Sequence, residues 1–472
     1  MINKFTMAVY NHAPVCVQNA MCGWAGRRYI KIRYGGEFDK WAAFYAESSK
    51  WSAAQLMEYQ REQVGLLIRE CFDSVPYYSE RWKQAGLSPD DFHDLPDLAK
   101  FPYTQKEDLF RESERMLSTQ YDRRSLIKGM TGGSTGMPLV RYMTKGECQR
   151  HYAIVWDRMR QGVSRGDRYA AFQGKEIVPA SQDKPPFWRE NRPCNQRLYS
   201  MRHLSPEKLR FYAESLMEEP FVYYQGYVSF MSVVAEYMAE RGLVPSPAPK
   251  AVFCTSEQLT TSCRRLFETA WKTRVWNEYG QGERCALIQE CPEGNHHVQM
   301  DYGVVEFEPV AREGEYLLAE IICTSFILHA APLVRYRIGD RVVIDETAVC
   351  PCGRPGPVIK AIRGRIGEYI LTPDGRKYPH ISLIVDMLRN VRRVQVVQER
   401  QDEIIVRVVP FGDYSDKDEQ YAARCFQERI GGGIMVRMER VQDLERLPNG
   451  KVLSVINRIP GHSRNHLCGP ED

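Results

Sequence analysis

Residues 130–140 read MTGGSTGMPLV, and this run of small and hydroxylated residues is the starting point for both the fold and the function. Glycine lets the backbone approach a ligand closely and adopt positive φ, so that successive N–H groups can surround an anion. The stretch therefore predicts a phosphate-binding loop, with an ordinary flexible turn as the alternative. Because it lacks the Lys-Ser/Thr ending of a Walker loop, the usual P-loop NTPase folds are disfavoured.

Short apolar runs alternate with helical patterns downstream of this loop. The helical patterns include PEKLRFYAESLMEE and LTTSCRRLFETAWK, in which apolar residues recur at a period of about 3.6. Four apolar runs are typical of buried strands: RYAAFQG (168–174), FVYYQG (221–226), KAVFCT (250–255) and RVWNEYG (274–280). This alternation indicates an α/β architecture with substantial sheet.

The sequence pattern changes after about residue 365. EYILTPDGRKYP is typical of a hairpin that turns at Asp374-Gly375, and VRRVQVVQERQDEIIVRVVPF reads as two alternating strands before the helical KDEQYAARCFQERI. We therefore predict a large α/β domain over residues 1–364, with mixed sheets, helices and a helical N-terminal extension. A small, mobile α+β domain is predicted over residues 365–472.

The composition excludes several classes of protein. The 472 residues carry 64 basic and 60 acidic side chains, so the nearly balanced charge gives no basic stripe for nucleic acid. No apolar run approaches the ~20 residues of a membrane helix, and Asn and Pro interrupt the N-terminal segment where a secretory signal would be continuous. Fourteen cysteines are too few for a disulfide scaffold. We expect a cytoplasmic enzyme with reduced thiols, as a monomer or homodimer.

Four further motifs follow the loop: NEYGQGER (277–284), LVRYRIGDRV (333–342), IRGRIGEYI (362–370) and LPNGKVLSVI (447–456). Each is an ordinary turn when taken singly. In this order they resemble the adenylate-forming superfamily and, within it, the phenylacetate–CoA ligase family, over nearly the whole chain from VPYYSERWKQAGL onward. YNHAPVCVQN (10–19) and PPFWREN (185–191) resemble the branch associated with capsule and other surface polysaccharides (the CapK-type branch).

The resemblance implies an adenylate-forming fold and residues that bind ATP. The phosphate loop would consist of Thr131, Gly132, Gly133, Ser134, Thr135 and Gly136. Ser256 and Glu257 would border the adenine. Tyr279, followed by Gly280, would stack on the adenine or line the acyl pocket.

The resemblance also implies a set of catalytic residues. Glu283 would bind Mg²⁺, a hard ion suited to carboxylate and phosphate oxygens. Asp340 would accept hydrogen bonds from the ribose, and Arg365 would support ribose or phosphate. Lys451 would bridge the substrate carboxylate and the α-phosphate, where a fixed cation offsets the repulsion between two anions.

Two positions depart from the family pattern. Met137 stands where the loop often carries Lys, so one cation is missing. At the hinge, which usually reads Gly-Arg-x-Asp-Asp, Gly367 and Glu368 take the places of the last residues. Gly367 still permits a hinge about residues 365–368 but supplies no charge.

The implied reaction converts a carboxylic acid and ATP into an acyl-adenylate and pyrophosphate, before acyl transfer to a second substrate. CoA is the default acceptor, with a carrier protein or a sugar amine or hydroxyl as alternatives. A peripheral association with glycan assembly enzymes, or a degenerate nucleotide-binding scaffold among them, is the rival interpretation. The Tyr-rich run FVYYQGYVSF places Tyr224, Gln225, Gly226 and Tyr227 as walls of an acyl pocket, with core packing as the alternative.

Cysteine and histidine residues also predict a structural zinc site. Cys291, His297, Cys350 and Cys352 form a Cys₃His set, and thiolates with imidazole suit tetrahedral Zn²⁺. His296 is a rival ligand, and unligated thiols in surface turns are the alternative. Members of the resembled family carry a similar zinc. Four protein ligands leave no open coordination position, so we expect a structural role.

Overall fold

The structure is a computed structural model that describes residues 4–130, 140–174, 177–363, 370–373, 377–378, 384–385, 387–430, 433–446 and 452–460. Among these residues, no helix combines the length and apolar composition that a bilayer crossing requires. The α-helices are α1 Lys4–His12, α2 Val15–Arg33, α3 Phe38–Ser48, α4 Ala53–Ser74, α5 Pro76–Gln84, α6 Lys106–Arg111, α7 Lys145–Ile154, α8 Pro206–Glu218, α9 Val228–Glu240, α10 Thr261–Trp271 and α11 Asp416–Ile430.

The strands fall into a long first series and a short second series. The first series is β1 Ile127–Met130, β2 Val140–Met143, β3 Tyr169–Phe172, β4 Trp188–Asn191, β5 Gln196–Tyr199, β6 Tyr223–Gly226, β7 Ala251–Cys254, β8 Val275–Gly280, β9 Leu287–Glu290, β10 His296–Val298, β11 Gly303–Glu313, β12 Tyr316–Ser325, β13 Tyr336–Asp345 and β14 Val358–Arg363. The second is β15 Ile370–Leu371, β16 Lys377–Tyr378, β17 Val391–Arg400, β18 Glu403–Pro410, β19 Met435–Arg440 and β20 Val455–Asn457.

Twelve strands form one sheet in the order β11-β12-β13-β14-β10-β9-β8-β7-β6-β3-β5-β4. The section β5-β3-β6-β7-β8 is parallel. Its strands are apolar on both faces because helices cover both, and all four residues of β7 are buried. Helices α8, α9 and α10 pack on one face around Trp271, Phe267 and Phe230. From β8 to β14 the sheet turns antiparallel and packs against α4 and α5.

The first two strands form a separate hairpin. β1 pairs antiparallel with β2, and Met130 lies opposite Val140. The predicted phosphate loop, which lies outside the described residues, therefore connects two paired strand ends. This pairing fixes where the loop leaves and rejoins the fold.

The C-terminal part has its own sheet and core. Its strand order is β19-β18-β17-β20, and α11 packs on it through Phe426 and Cys425. The predicted architecture of a large α/β part followed by a small α+β part is confirmed. The predicted boundary at residues 364/365 lies outside the described residues and stays a prediction. Arg392 joins the two parts through ion pairs to Glu236 at 3.0 Å and Glu240 at 2.6 Å.

The N-terminal helices pack at the β4 end of the sheet. Helix α2 contacts β4 and the turn that follows it, and Gly26 lies so close that an added Cβ would fall 2.0 Å from Asn191 Oδ1. The backbone of Glu190 donates a 2.9 Å hydrogen bond to Asn19 Oδ1. These contacts hold α2 across the sheet surface, next to β3, β5 and β6.

Candidate functional site

The carboxyl ends of the parallel strands gather several predicted site residues. Ligands of open α/β sheets bind at this edge, because the loops that leave neighbouring strands meet there. Tyr227 follows β6, Ser256 and Glu257 follow β7, and Gly280 ends β8. Three motifs that are separated by more than 20 residues each along the chain thus share one edge of the sheet.

Tyr279 and Asp340 are joined directly. The Tyr279 hydroxyl donates to Asp340 Oδ2 at 2.5 Å, which connects β8 with β13 across the sheet. Asp340 is only 6% exposed. Burial, and then the neighbouring Asp340 carboxylate, raise the pKa of Tyr279 well above its usual value. The phenol therefore stays protonated and keeps donating, so the carboxylate is held in a fixed orientation.

Glu283 lies in a tight turn after β8. The turn is closed by the Arg284 N–H, which donates to the Gln281 carbonyl at 3.1 Å, and Arg284 has φ +58°, in the left-handed region. The Ser325 hydroxyl donates to the Arg284 carbonyl at 2.8 Å and holds this conformation. Strained backbone of this kind persists where the surroundings impose it, often at functional sites. Glu283 in this turn is only 4% exposed. Its carboxylate accepts a 3.5 Å hydrogen bond from the Tyr336 hydroxyl.

Ser256 and Glu257 differ in their surroundings. Ser256 is exposed and has φ +67°, the second non-glycine residue near this edge in the left-handed region. Glu257 caps α9, since its carboxylate accepts from the Ser229 N–H at 2.7 Å and the Ser229 hydroxyl at 3.0 Å. The Val452 N–H also donates to Glu257, at 3.3 Å. Burial raises the pKa of Glu257 although these hydrogen bonds oppose the shift.

Three of the four predicted pocket residues lie on β6, and the fourth, Tyr227, follows the strand. Tyr224 is 1% exposed and packs edge-on against Trp271 in the core, as in the alternative interpretation, with ring centroids 5.0 Å apart. An added Cβ on Gly226 would fall 2.1 Å from the Phe172 carbonyl oxygen, so glycine is required there. Gln225 lines a large cavity on the opposite face. Tyr227 is half-buried at the N-cap of α9.

Arg141 belongs to this region but was not predicted from the sequence. It lies on β2, directly after the predicted loop, and shares a cavity of about 50 Å³ with Glu283. Its Nε and Nη1 are buried without a hydrogen-bond partner among the described residues. Burial, and then the neighbouring Arg284, lower the pKa of Arg141 to about 10. Gly129 lies opposite in the hairpin and leaves room for this guanidinium, because its missing Cβ would lie 3.2 Å from Nη2.

Several predicted residues lie outside the described residues. They are Thr131, Gly132, Gly133, Ser134, Thr135, Gly136, Met137, Arg365, Gly367, Glu368 and Lys451. Their roles stay predictions. The described neighbours on each side nevertheless reach the site, since β2 carries Arg141 and Val452 contacts Glu257.

The predicted metal ligands form one cluster. Cys291, His297, Cys350 and Cys352 bring their ligand atoms within 4.8 Å of one another. Cys291 Sγ lies 3.7 Å from Cys350 Sγ, and Cys352 Sγ lies 3.4 Å from His297 Nε2. A tetrahedral zinc with ligand distances of about 2.3 Å to sulfur and about 2.0 Å to nitrogen would place such atoms about 3.8 and about 3.5 Å apart. The donor set and its spacing therefore fit zinc.

Local turns bring these ligands together from distant parts of the chain. Gly294, at φ +79°, turns β9 into β10 and donates its N–H to the Cys291 carbonyl at 2.9 Å. Gly353, at φ +73°, donates to the Cys350 carbonyl at 3.1 Å and closes the second turn. His296 points elsewhere, with Nε2 3.3 Å from Asn277 Nδ2. Burial lowers the pKa of His297 to about 4, so its imidazole is neutral at physiological pH.

Comparisons with known proteins agree with this geometry. A family model described as the CapK C-terminal domain matches residues 370–458. The protein CapK of Staphylococcus aureus is 28% identical over 458 residues, which span 96% of this chain and 99% of that protein. A phenylacetate-coenzyme A ligase of Aromatoleum evansii is 34% identical over 311 residues, spanning 62% of this chain and 67% of that protein.

A solved structure shares the fold. The crystal structure of 2-hydroxyisobutyryl-CoA ligase in the postadenylation state, in complex with 2-HIB-AMP, has a TM-score of 0.65 and 17% identity. The match covers 86% of this chain and 90% of that chain. The fold class predicted from the sequence is therefore confirmed.

Proposed function

The chain belongs to the phenylacetate–coenzyme A ligase family of the adenylate-forming superfamily, and from this premise we propose that it activates a carboxylic acid with ATP and Mg²⁺. An acyl-adenylate and pyrophosphate form first, and the CoA thiol then takes the acyl group as AMP leaves. The AMP-forming ligase class predicted from the sequence is confirmed by the relatives. The observation that carries the proposal is that two buried carboxylates are bonded between β8 and β13: Asp340 on β13 accepts from Tyr279 on β8, and Glu283 after β8 accepts from Tyr336 on β13.

We assign each described residue a role by its chemistry. Asp340, oriented by Tyr279, accepts hydrogen bonds from ribose hydroxyls. Glu283 offers hard carboxylate oxygens to Mg²⁺, which when bound offsets the negative charge of the ATP phosphates. Arg141 supplies a fixed positive charge beside Glu283, on the strand that leaves the phosphate loop. It thereby offsets the cation that Met137 does not provide.

The second half-reaction requires the small domain to move. Val452 and Arg446 contact the large domain at the α9 N-terminus, where Arg446 Nη1 lies 3.3 Å from the Ser229 hydroxyl. A rotation about residues 365–368 would break these contacts and open the edge of the sheet to the acceptor. Each of these contacts is a single hydrogen bond, worth about 0.5–3 kcal/mol net, so their loss is a small cost for a domain rotation.

For the acceptor and the biological setting, the relatives support two possibilities beyond CoA. The near full-length likeness to CapK supports a role in surface-polysaccharide synthesis, with a sugar amine or hydroxyl or a carrier thiol replacing CoA. A scaffold without catalysis is the remaining rival, and Met137 is its support. ATP–pyrophosphate exchange measured over a panel of carboxylic acids separates them. Exchange with at least one acid supports the proposal, whereas tight ATP binding without exchange for any acid favours the scaffold.

Glu283 and Asp340 are expected to act on different parts of ATP. Glu283→Gln should raise the Mg²⁺ concentration needed for half-maximal exchange, because a neutral amide is a poorer ligand for a hard cation. Asp340→Ala should weaken ATP and AMP binding alike at saturating Mg²⁺. Tyr279→Phe is the matched control, since it removes the hydrogen bond to Asp340 but keeps the carboxylate and the ring. Equal Mg²⁺ dependence of the Glu283 and Asp340 variants would contradict this division.

Arg141 is expected to contribute to adenylation and not to folding. Arg141→Met should lower kcat/KM for pyrophosphate exchange by about 10–100-fold, the value of one charged hydrogen bond. Arg141→Lys should recover part of the loss. Arg124→Met, at an exposed position before the same hairpin, is the control and should leave the rate unchanged. A wild-type rate in Arg141→Met would remove Arg141 from the mechanism.

A further inference from the structure

A cavity of about 980 Å³ lies between the N-terminal helices and the parallel strands. Helix α2 forms one wall, and β3, β5 and β6 form the other. Pockets for small molecules span about 300–1,000 Å³, so this cavity is at the upper end of that range. Among the predicted site residues that the structure describes, only Gln225 lines it.

The cavity reaches the strand edge where adenylation is proposed. Gln173, directly after β3, and Gln225, on β6, both line it. Tyr152 also lines it and contacts two guanidiniums: Arg33 lies 4.4 Å and Arg284 lies 5.6 Å from the centre of its ring. Because Arg284 directly follows Glu283, Tyr152 joins the cavity wall to a side chain of the turn that carries the proposed Mg²⁺ ligand. A bound acid could therefore extend from the cavity to the reacting edge.

The wall is aromatic. Eight of the lining residues are tyrosine or tryptophan, and Tyr169 stacks on Tyr223 with centroids 4.6 Å apart and planes 7° apart. Trp156 adds an indole whose Nε1 donates to the Tyr34 hydroxyl at 3.0 Å. Flat, partly buried rings favour a flat ligand through stacked and edge-on contacts.

The wall is also cationic. The described residues that line the cavity include Arg33, Arg160 and Arg165 but no aspartate or glutamate. Arg160 is neutralised by an ion pair with Glu278. Arg33 stacks on Tyr29 and Tyr152, and Arg165 stacks on Tyr34 and Phe38, while neither has a carboxylate within ion-pair distance among the described residues. Within the described part of the chain, two positive charges thus face the cavity without an acidic partner.

We propose that this cavity holds the body of the acid, and that the acid is aromatic and carries a second anionic group that Arg33 binds inside the cavity and Arg165 binds at its exposed rim. The inference rests on the proposed function, since it names the substrate class of the same site. The reacting carboxylate points to the strand edge, and the second anion points toward α2. A neutral or monoanionic aromatic acid would leave both guanidiniums without a charged partner. The N-terminal helices therefore act as a selectivity wall.

The test uses two pairs of probes that differ by one carboxylate: phenylacetate with 4-carboxyphenylacetate, and 2-naphthoate with naphthalene-2,6-dicarboxylate. Binding to the full chain is measured by isothermal titration calorimetry without ATP. Each diacid should bind about tenfold or more tightly than its monoacid, as expected for one additional charged hydrogen bond. Arg33→Gln should reduce the ratio of diacid to monoacid affinity toward one. Arg33→Lys should keep part of the preference for the diacid.

A cavity-filling variant locates the binding. Ala25→Trp places a large side chain into the cavity and should weaken both members of each pair by at least tenfold. Ala20→Trp adds the same side chain on the exposed side of α2 and should change neither. Melting temperatures show whether each variant is folded. If Ala25→Trp unfolds, the ratio of diacid to monoacid affinity in the Arg33 variants tests the proposal.

The outcomes separate this proposal from the proposed function. Diacid binding that Arg33→Gln weakens, without any pyrophosphate exchange, supports the cavity assignment and overturns adenylation. Exchange with a monoacid that neither Arg33→Gln nor Ala25→Trp affects overturns the cavity assignment and leaves adenylation intact. Equal affinity for diacids and monoacids also overturns the assignment of a second anion.

Discussion

Lys451→Ala is expected to lower the rate of acyl-adenylate formation by about 10²–10³-fold and to leave the melting temperature unchanged. Attack of a carboxylate on the α-phosphate brings two anions together, so a cation that bridges them lowers the barrier. Lys451 follows the Asn-Gly turn in LPNGK, which favours an exposed position without a packing role. The next residue, Val452, donates its N–H to Glu257 at 3.3 Å, at the edge where the other proposed ATP contacts gather.

Pyrophosphate exchange measures this effect directly. Lys417→Ala is the matched control, because Lys417 is exposed on α11 of the same small domain and contacts no proposed site residue. Transfer to CoA from chemically supplied acyl-adenylate should be retained in Lys451→Ala, since the lysine is assigned to the first half-reaction only. An unchanged exchange rate, or equal loss in both half-reactions, would contradict that assignment.

Local patterns in the sequence predicted most of the fold. KAVFCT became β7, whose residues Ala251–Cys254 are all buried, because an apolar run in a parallel sheet has a helix on each face. The hairpin predicted around Asp374-Gly375 agrees with the pairing of Ile370 with Tyr378 in β15 and β16. The two alternating strands became β17 and β18, paired antiparallel. In each case the spacing of apolar side chains within one segment was sufficient to predict the strand.

The face of the sheet on which a side chain lies, and the register between strands, could not be predicted in the same way. FVYYQG is apolar or aromatic on both faces, so nothing local distinguished Tyr224, which is in the core, from Gln225, which lines the cavity. His296 and His297 are adjacent on β10 and point to opposite faces, so only the pairing with β9 and β14 selects His297 as the ligand.

Non-local contacts account for the remaining gaps. In LVRYM, Arg141 has the pattern of an ordinary strand residue. Its place in the site depends on two contacts that are distant in sequence or across the hairpin: the cavity that it shares with Glu283 and the space that Gly129 leaves opposite. The large cavity exists because α2 meets β4, more than 150 residues later in the chain, through the close approach of Gly26 to Asn191. Because polar and apolar residues are spread nearly evenly around α2, its sequence does not predict which strand it packs against.

Cys352→Ser is expected to release a bound zinc and to destabilise the large domain. Cys291 and Cys350 are 59 residues apart in sequence, and a metal that binds both only in the folded chain adds its binding free energy to the stability of that state. A cross-link that closes a loop of that length is worth about 4 kcal/mol in the chain-entropy model. For a domain of this size the melting temperature should fall by about 5–10 °C.

The measurement combines elemental analysis with thermal unfolding. Wild-type protein purified without chelator should contain about one zinc per chain, as one four-coordinate site requires. Cys16→Ser is the matched control, since Cys16 is exposed on α2 and lies outside the cluster. His296→Ala should keep the metal and His297→Ala should lose it, because only His297 Nε2 faces Cys352 Sγ.

The site should affect stability more than chemistry. Four protein ligands fill a tetrahedral zinc, so no position is left for a substrate or a reactive water. The cluster lies where β9, β10 and the turn before β14 meet, and β9 pairs with β8, the strand that carries Tyr279. Loss of metal should therefore loosen the antiparallel end of the sheet, and residual activity in Cys352→Ser should follow the folded fraction. Metal-free wild-type protein with a melting temperature equal to that of Cys352→Ser would exclude a zinc site, and full activity loss in folded Cys352→Ser would exclude a purely structural one.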